Sequence, residues 1–205
     1  MNRINTPSAT FALLVAPTMA VALALTGCGA SSPAPEPPLA GASIGGDFAL
    51  TASDGRTVRW SDFSGKYRIV YFGYAFCPDV CPTDMQRVAQ GLKVLKASNP
   101  DLAAKTQPIF ITIDPERDTA KVVGEFAAAF SPDIIGLTGT PEQIAAAAKA
   151  FKVFYQKGAA VEGGGYLVDH SNIVYLFGPD GEPLATLPVD QGGEAVAAEL
   201  RKWVS

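Results

Sequence analysis

Two short runs of β-branched and aromatic residues, Tyr67–Gly73 (Tyr-Arg-Ile-Val-Tyr-Phe-Gly) and Pro108–Ile113 (Pro-Ile-Phe-Ile-Thr-Ile), stand on either side of a segment in which Met85, Val88, Leu92 and Leu95 recur at spacings of three and four. Runs of this kind suit strands buried on both faces of a covered sheet. The intervening periodicity predicts a helix over Thr83–Ala97 with one apolar face. Strand, helix and strand in that order form a crossover unit, which commits the chain to a sheet flanked by helices.

The rest of the chain extends this plan. Asp47–Ala52 and Thr57–Trp60 flank the turn cluster Ser53-Asp54-Gly55-Arg56 and predict an N-terminal β-hairpin. Val122, Val123, Phe126 and Phe130 predict a second helix over Thr119–Phe130, with Asp118 in the N-cap position. Thr140-Pro141-Glu142 opens a third helix, through about Phe151. Asn172–Phe177 and Pro183–Leu187 bracket Gly178-Pro179-Asp180-Gly181 as a second hairpin, and Val196, Leu200 and Trp203 mark a closing helix. The order ββαβααββα, with room for one more short strand near Ile134–Leu137, is that of an α/β, thioredoxin-like fold: a central mixed sheet flanked by helices, with an N-terminal β-hairpin.

The N-terminal region does not belong to this core. Residues 1–27 carry one charge, Arg3, and an apolar stretch from Phe11 to Leu25 that is short for a membrane span, and they read as a secretion signal. The segment ends in Leu25-Thr26-Gly27-Cys28, which resembles the lipobox of bacterial lipoproteins; that resemblance implies cleavage before Cys28 and acylation of its sulfur and amine. The alternative, a membrane-spanning anchor with a chance cysteine at its end, also leaves the domain facing outward. Residues 28–46 are rich in Pro and Ser and predict an extended tether, leaving 47–205 as one domain. Removing Arg3 leaves 15 basic against 20 acidic residues, a net of −5, which argues against non-specific nucleic-acid binding. The chain is therefore expected to be extracytoplasmic and membrane-anchored. Gly29, where inner-membrane retention often uses Asp, leaves the choice of membrane open.

With Cys28 assigned to lipid, two cysteines remain, in Cys77-Pro78-Asp79-Val80-Cys81. They lie between the first core strand and its helix, where the helix N-terminus favours thiolate and Asp79 and Asp84 oppose it. Four residues apart on a helical turn, they are close enough for a disulfide or a shared metal; a static staple across so small a loop gains little entropy. His170, the one histidine, lies 93 residues beyond Cys77 and just before a predicted central strand. A lone histidine is often structural, but in this fold that segment passes beside the cysteine turn. Two thiolates and an imidazole suit Cu(I), or Cu(II) with a further weak ligand, whereas structural zinc needs a fourth firm donor. Asp169 either orients the imidazole or accepts a backbone donor, and a backbone carbonyl is the other candidate to orient the ring. Asp114-Pro115-Glu116-Arg117-Asp118-Thr119 reads as a turn with an N-cap and an exposed ion pair, and Gly163-Gly164-Gly165 as a mobile loop that lets His170 approach the thiols.

Three segments together resemble the Sco family, also called SenC: Gly73-Tyr74-Ala75-Phe76-Cys77-Pro78-Asp79-Val80-Cys81-Pro82, the Asp114–Thr119 motif, and Val168-Asp169-His170-Ser171 with Tyr175-Leu176 downstream. The likeness spans nearly the whole domain. Ala75 stands where Thr is common, and the anchor looks like a lipid in place of a transmembrane helix. The resemblance implies that Cys77, Cys81 and His170 are copper ligands. It also implies delivery of copper to the CuA site of cytochrome c oxidase during assembly, or reduction of that site's cysteines as a thiol–disulfide oxidoreductase. The partners implied are the copper-accepting oxidase subunit and a copper donor or thiol reductant. Oxidoreductases of the thioredoxin class use two intervening residues and a cis-proline; here there are three, and His170 takes the proline's place. A peroxiredoxin would need a Thr shortly before its cysteine, and none precedes Cys77 suitably.

Overall fold

The computed structural model describes residues 35–160 and 164–205. The expected signal segment 1–27, Cys28 and residues 29–34 lie outside the described residues, as does Gly163. Seven strands form one sheet in the order β2-β1-β5-β4-β3-β8-β9: β1 Ala49–Ala52, β2 Thr57–Arg59, β3 Tyr67–Gly73, β4 Thr106–Thr112, β5 Ile135–Thr138, β8 Val174–Phe177 and β9 Pro183–Thr186. The β3–β4 and β4–β5 pairs are parallel; β3–β8, β8–β9, β1–β2 and β1–β5 are antiparallel. All seven residues of β3 are buried, as its run of β-branched and aromatic residues predicts, and its one charge, Arg68, donates to the Gly178 carbonyl at 2.9 Å. The sheet is mixed, the N-terminal hairpin is present, and the short strand allowed near Ile134–Leu137 exists as β5, which forms the second crossover unit.

The helices are α1 Val80–Ser98, α2 Pro100–Ala104, α3 Ala120–Ala128, α4 Pro141–Ala150 and α5 Gly193–Trp203. Helix α1 starts three residues before the predicted Thr83. Pro82 lies within the helix's first turn, where proline is tolerated because its missing N–H has no helical acceptor. Cys81 therefore lies inside the helix, behind the N-cap residue Asp79. The N-cap of α3 is Thr119, whose side chain accepts from the Val122 N–H at 3.3 Å, and not Asp118. Asp118 is fully buried and its carboxylate is engaged elsewhere. Thr140 caps α4 through a reciprocal pair with Gln143, as its sequence predicts. Helix α2 was not expected.

The largest difference from the expected order ββαβααββα is a second sheet of two strands, β6 Tyr155–Ala160 and β7 Tyr166–His170. Its strands pair only with each other, with Tyr155 opposite His170. The predicted strand at Asn172 begins at Val174 because 171–173 leave this small sheet for the large one. Residues 39 and 45, within the compositional tether, bond to the fold through Leu39 N–H to the Leu184 carbonyl and Gly45 N–H to the Ala150 carbonyl, both at 3.0 Å.

Candidate metal centre

The parallel strands β3 and β4 end side by side, with the Ile113 N–H donating to the Gly73 carbonyl at 2.8 Å. Each then delivers a loop to the same edge, residues 74–79 and 113–119, the usual place for a site in such sheets. The first loop closes with the Cys77 N–H on the Tyr74 carbonyl at 3.2 Å. One helical turn later the Cys81 N–H points at the Cys77 sulfur at 3.4 Å. Gly73 makes room for this arrangement: a Cβ there would stand 3.0 Å from Cys81 Sγ.

His170 arrives from β7. Its Nε2 lies 3.3 Å from Cys81 Sγ, and the donor atoms of Cys77, Cys81 and His170 all fall within 4.8 Å of one another. The cysteines are unbridged, Cys81 fully buried and Cys77 9% exposed, while the histidine is half-buried. The rings of Tyr71 and Tyr74 stand edge-on to the imidazole at 6.2 and 5.9 Å. His170 Nδ1 is 3.0 Å from the Ser171 carbonyl. A carbonyl only accepts, so Nδ1 carries the proton and Nε2 turns its lone pair toward the thiols. Of the orienting groups weighed for the ring, the backbone carbonyl is the one in place; Asp169 is exposed on the other face of β7.

The electrostatics of the site are set first by burial. Burial pushes the Cys81 thiol well above its ordinary value, overriding the helix N-terminus that was expected to lower it. Burial also lowers His170, which keeps the ring neutral. The Tyr71 hydroxyl donates to Asp84 Oδ2 at 3.1 Å, and burial raises the Asp84 carboxyl despite that bond. A neutral imidazole and two unbridged thiols are a soft donor set, competent for Cu(I) once the thiols deprotonate.

The Asp114–Thr119 segment is more than the exposed turn predicted for it. Asp114 is 4% exposed and accepts from Arg117 Nε at 2.6 Å, so the ion pair is largely buried. Asp118 Oδ2 accepts from the Ala75 N–H at 2.8 Å and from Thr112 Oγ1 at 2.7 Å. Tyr71 and Tyr74 stand against His170, Asp84 behind Tyr71, and Arg117 beyond Tyr74 with Tyr166 stacked on it, and sequence reasoning singled out none of the tyrosines. Tyr74 was quoted only inside a motif, and the contacts that give it a role are all tertiary.

A family model described as SCO1/SenC matches residues 36–205. The chain is 41% identical over 159 residues to the human mitochondrial protein SCO1 homolog, covering 77% of this chain and 52% of that one, so it spans about half that relative's length. It is 36% identical over 179 residues to a SCO2-like protein of Rickettsia felis, covering 82% and 84% of the two chains. Among solved structures, Bradyrhizobium japonicum ScoI with copper bound superposes with a TM-score of 0.70 at 34% identity, covering 78% of this chain and 99% of that one. No helix among the described residues is long and apolar enough to cross a membrane. With its thioredoxin-like sheet, its Cys77/Cys81/His170 cluster and a family match that spans the whole described domain, the chain belongs to the SCO1/SenC family.

Proposed function

We propose that this protein is an extracytoplasmic copper metallochaperone. It carries one copper ion on Cys77, Cys81 and His170 and passes it to the CuA site of cytochrome c oxidase during assembly. The observation that carries the reading is the convergence of the three donor atoms within 4.8 Å, with both cysteines unbridged. In this reading residues 1–27 are removed, Cys28 bears the acyl chains, and residues 28–46 hold domain 47–205 at the membrane surface. Several acyl chains exceed the two-signal threshold for stable anchoring.

Copper is cargo here, so the site must release as well as bind. Cys81 is fully enclosed, whereas His170 and Cys77 face the edge where an acceptor can approach. Release then proceeds from the imidazole to Cys77 to Cys81, each protein bond replaced by one from the acceptor. The second reading, reduction of the CuA cysteines by the same pair, draws on the nearness of the two thiols. It is disfavoured by the burial that holds Cys81 protonated.

Copper stoichiometry and affinity of the reduced protein, measured for the parent and for His170→Ala, test the proposal. One copper per chain is expected, with loss of Cu(II) affinity in the variant of at least the order of 10–100-fold that removal of an outer partner of a ligand costs. Retained affinity in His170→Ala together with robust disulfide-reductase activity would select the second reading.

A further inference from the structure

Cys77 stands on the turn between β3 and α1 and Cys81 in the first turn of α1, but His170 stands on β7, which makes no ladder with the large sheet. Two-stranded sheets are marginal on their own. Beyond the three-residue link 171–173 to β8, side chains must therefore fix the distance from the imidazole to the thiols, and the loop Asp114–Asp118 supplies several of them.

This loop grips both ligand carriers. Toward the cysteine turn, Asp118 holds the Ala75 N–H at 2.8 Å, and the Arg117 guanidinium carbon lies 5.7 Å from the Tyr74 ring centre and 5.2 Å from that of Phe76. Toward the histidine strand, the same guanidinium stands 3.7 Å over the Tyr166 ring, and the Tyr166 hydroxyl donates to Asp114 Oδ1 at 2.7 Å. Lys157 of β6, 4.0 Å from that ring, donates to Glu116 at 2.5 Å. Asp114 fixes the guanidinium through its Nε at 2.6 Å. Arg117 is thus the node at which aromatic rings from the two carriers meet. A direct tie also exists, the Val168 N–H on the Tyr74 hydroxyl at 3.2 Å.

Alternation in a strand places Tyr166, Val168 and His170 on one face, the face turned to the body of the protein. A displacement of Tyr166 is therefore carried along β7 to His170. A surface ion pair would be worth little, but Asp114 is almost wholly enclosed, and its bond from Tyr166 is charge-assisted.

We propose that Arg117 and Tyr166 are positioning residues for His170, latching β7 to the cysteine turn so that the imidazole stands at bonding distance before copper arrives. The proposal rests on the reading of Cys77, Cys81 and His170 as copper ligands. Without the latch the site reduces to two thiolates, which still hold Cu(I) but bind Cu(II) poorly.

The test uses the reduced protein with Tyr166→Phe, which removes one hydroxyl, and Arg117→Lys, which keeps the charge and removes the planar stack. Each is combined with His170→Ala. Cu(II) is read by nitrogen hyperfine splitting in paramagnetic resonance and by affinity, and Cu(I) by chelator competition. Tyr166→Phe is expected to weaken Cu(II) binding roughly tenfold, as loss of a charge-assisted bond would, and to diminish the imidazole signature. Cu(I) affinity should change less than about threefold, the two thiolates being intact. Arg117→Lys should follow the same pattern, and neither variant should lower affinity further in the His170→Ala background. An unchanged imidazole signature in both variants would overturn the latch. So would equal loss of Cu(I) and Cu(II), or loss that persists with His170→Ala, since each marks a merely structural role. If His170→Ala by itself leaves copper binding intact, it is the ligand assignment that fails.

Discussion

Nδ1 of His170 faces an acceptor and Nε2 faces Cys81, so the residue presents a lone pair without any rearrangement of its ring. The thiol beside it is the opposite case. Burial holds Cys81 protonated at neutral pH, and a thiolate is what binds metal. Copper uptake must therefore expel the Cys81 proton, and affinity should rise about tenfold per pH unit for that proton across the neutral range. His170 adds no proton competition until the pH falls below its lowered value. Cu(I) competition at pH 6, 7 and 8 checks this, and a pH-independent affinity would count against it. Asp118 makes a stability prediction of definite sign. Burial raises its carboxyl above the ordinary 3.8, so the folded state binds this proton more tightly than the unfolded chain. That contribution favours folding in acid and is lost as pH rises from 3.8 through the raised value. The stability of the parent relative to Asp118→Asn should fall over that window and be flat above it, as denaturant midpoints from pH 4 to 8 would show. The three candidate ligands are legible because Cys and His are rare and chemically specific in this chain. Asp118 reads as an N-cap because local sequence shows the helix that follows it but not the Ala75 N–H it holds across the site.

Elements with a strong period were legible, and those stabilised by partners were not. Helix α1 declares itself through Met85, Val88 and Leu95, all buried, and packs along α5. Its contact with α5 is unusually close at Gly91, where a Cβ would stand 2.4 Å from Val196 Cγ1. Alanine gains about 1 kcal/mol of helix propensity over glycine, but forcing a methyl into such a contact costs about 1–3 kcal/mol. Gly91→Ala is therefore expected to leave stability unchanged or to lower it by up to about 2 kcal/mol, and Gly91→Ala with Val196→Ala to behave non-additively, recovering the propensity gain. A chemical-denaturation cycle of the four proteins measures the coupling; simple additivity would show that the helices slide apart at no cost. The β6–β7 hairpin illustrates the converse. Tyr155-Gln-Lys-Gly-Ala-Ala has no apolar alternation because both of its faces are largely solvated, so a periodicity reading has nothing to find. What makes it a strand is its partner, which carries Tyr166, Val168 and His170.

At the scale of the whole domain, the crossover units made most of the topology readable. Buried runs joined by helices leave few arrangements of a sheet, and the observed order places β3 and β4 centrally, as their runs of β-branched and aromatic residues require. What that logic cannot supply is the relation between the seven-stranded sheet and the small one, because no ladder joins them, only the three residues 171–173 and contacts made by side chains. A metal bound by Cys77, Cys81 and His170 adds a further tie, with two ligands on the large fold and one on the hairpin. Such a ligand binds the folded state more tightly than the unfolded chain, which keeps Cys77 and Cys81 near each other but does not hold all three donors together. At a free Cu(I) concentration about a hundredfold above the dissociation constant the gain is at most about 2.7 kcal/mol. For a domain of this size that corresponds to a rise in Tm of about 5–10 °C. His170→Ala should retain part of this rise, because Cys77 and Cys81 still bind, but amide exchange in β6 and β7 should then stay as fast as in the copper-free protein. If copper instead slowed exchange in β6 and β7 equally in the parent and in His170→Ala, the hairpin would be ordered by something other than its histidine, and the metal would not be what joins the two sheets.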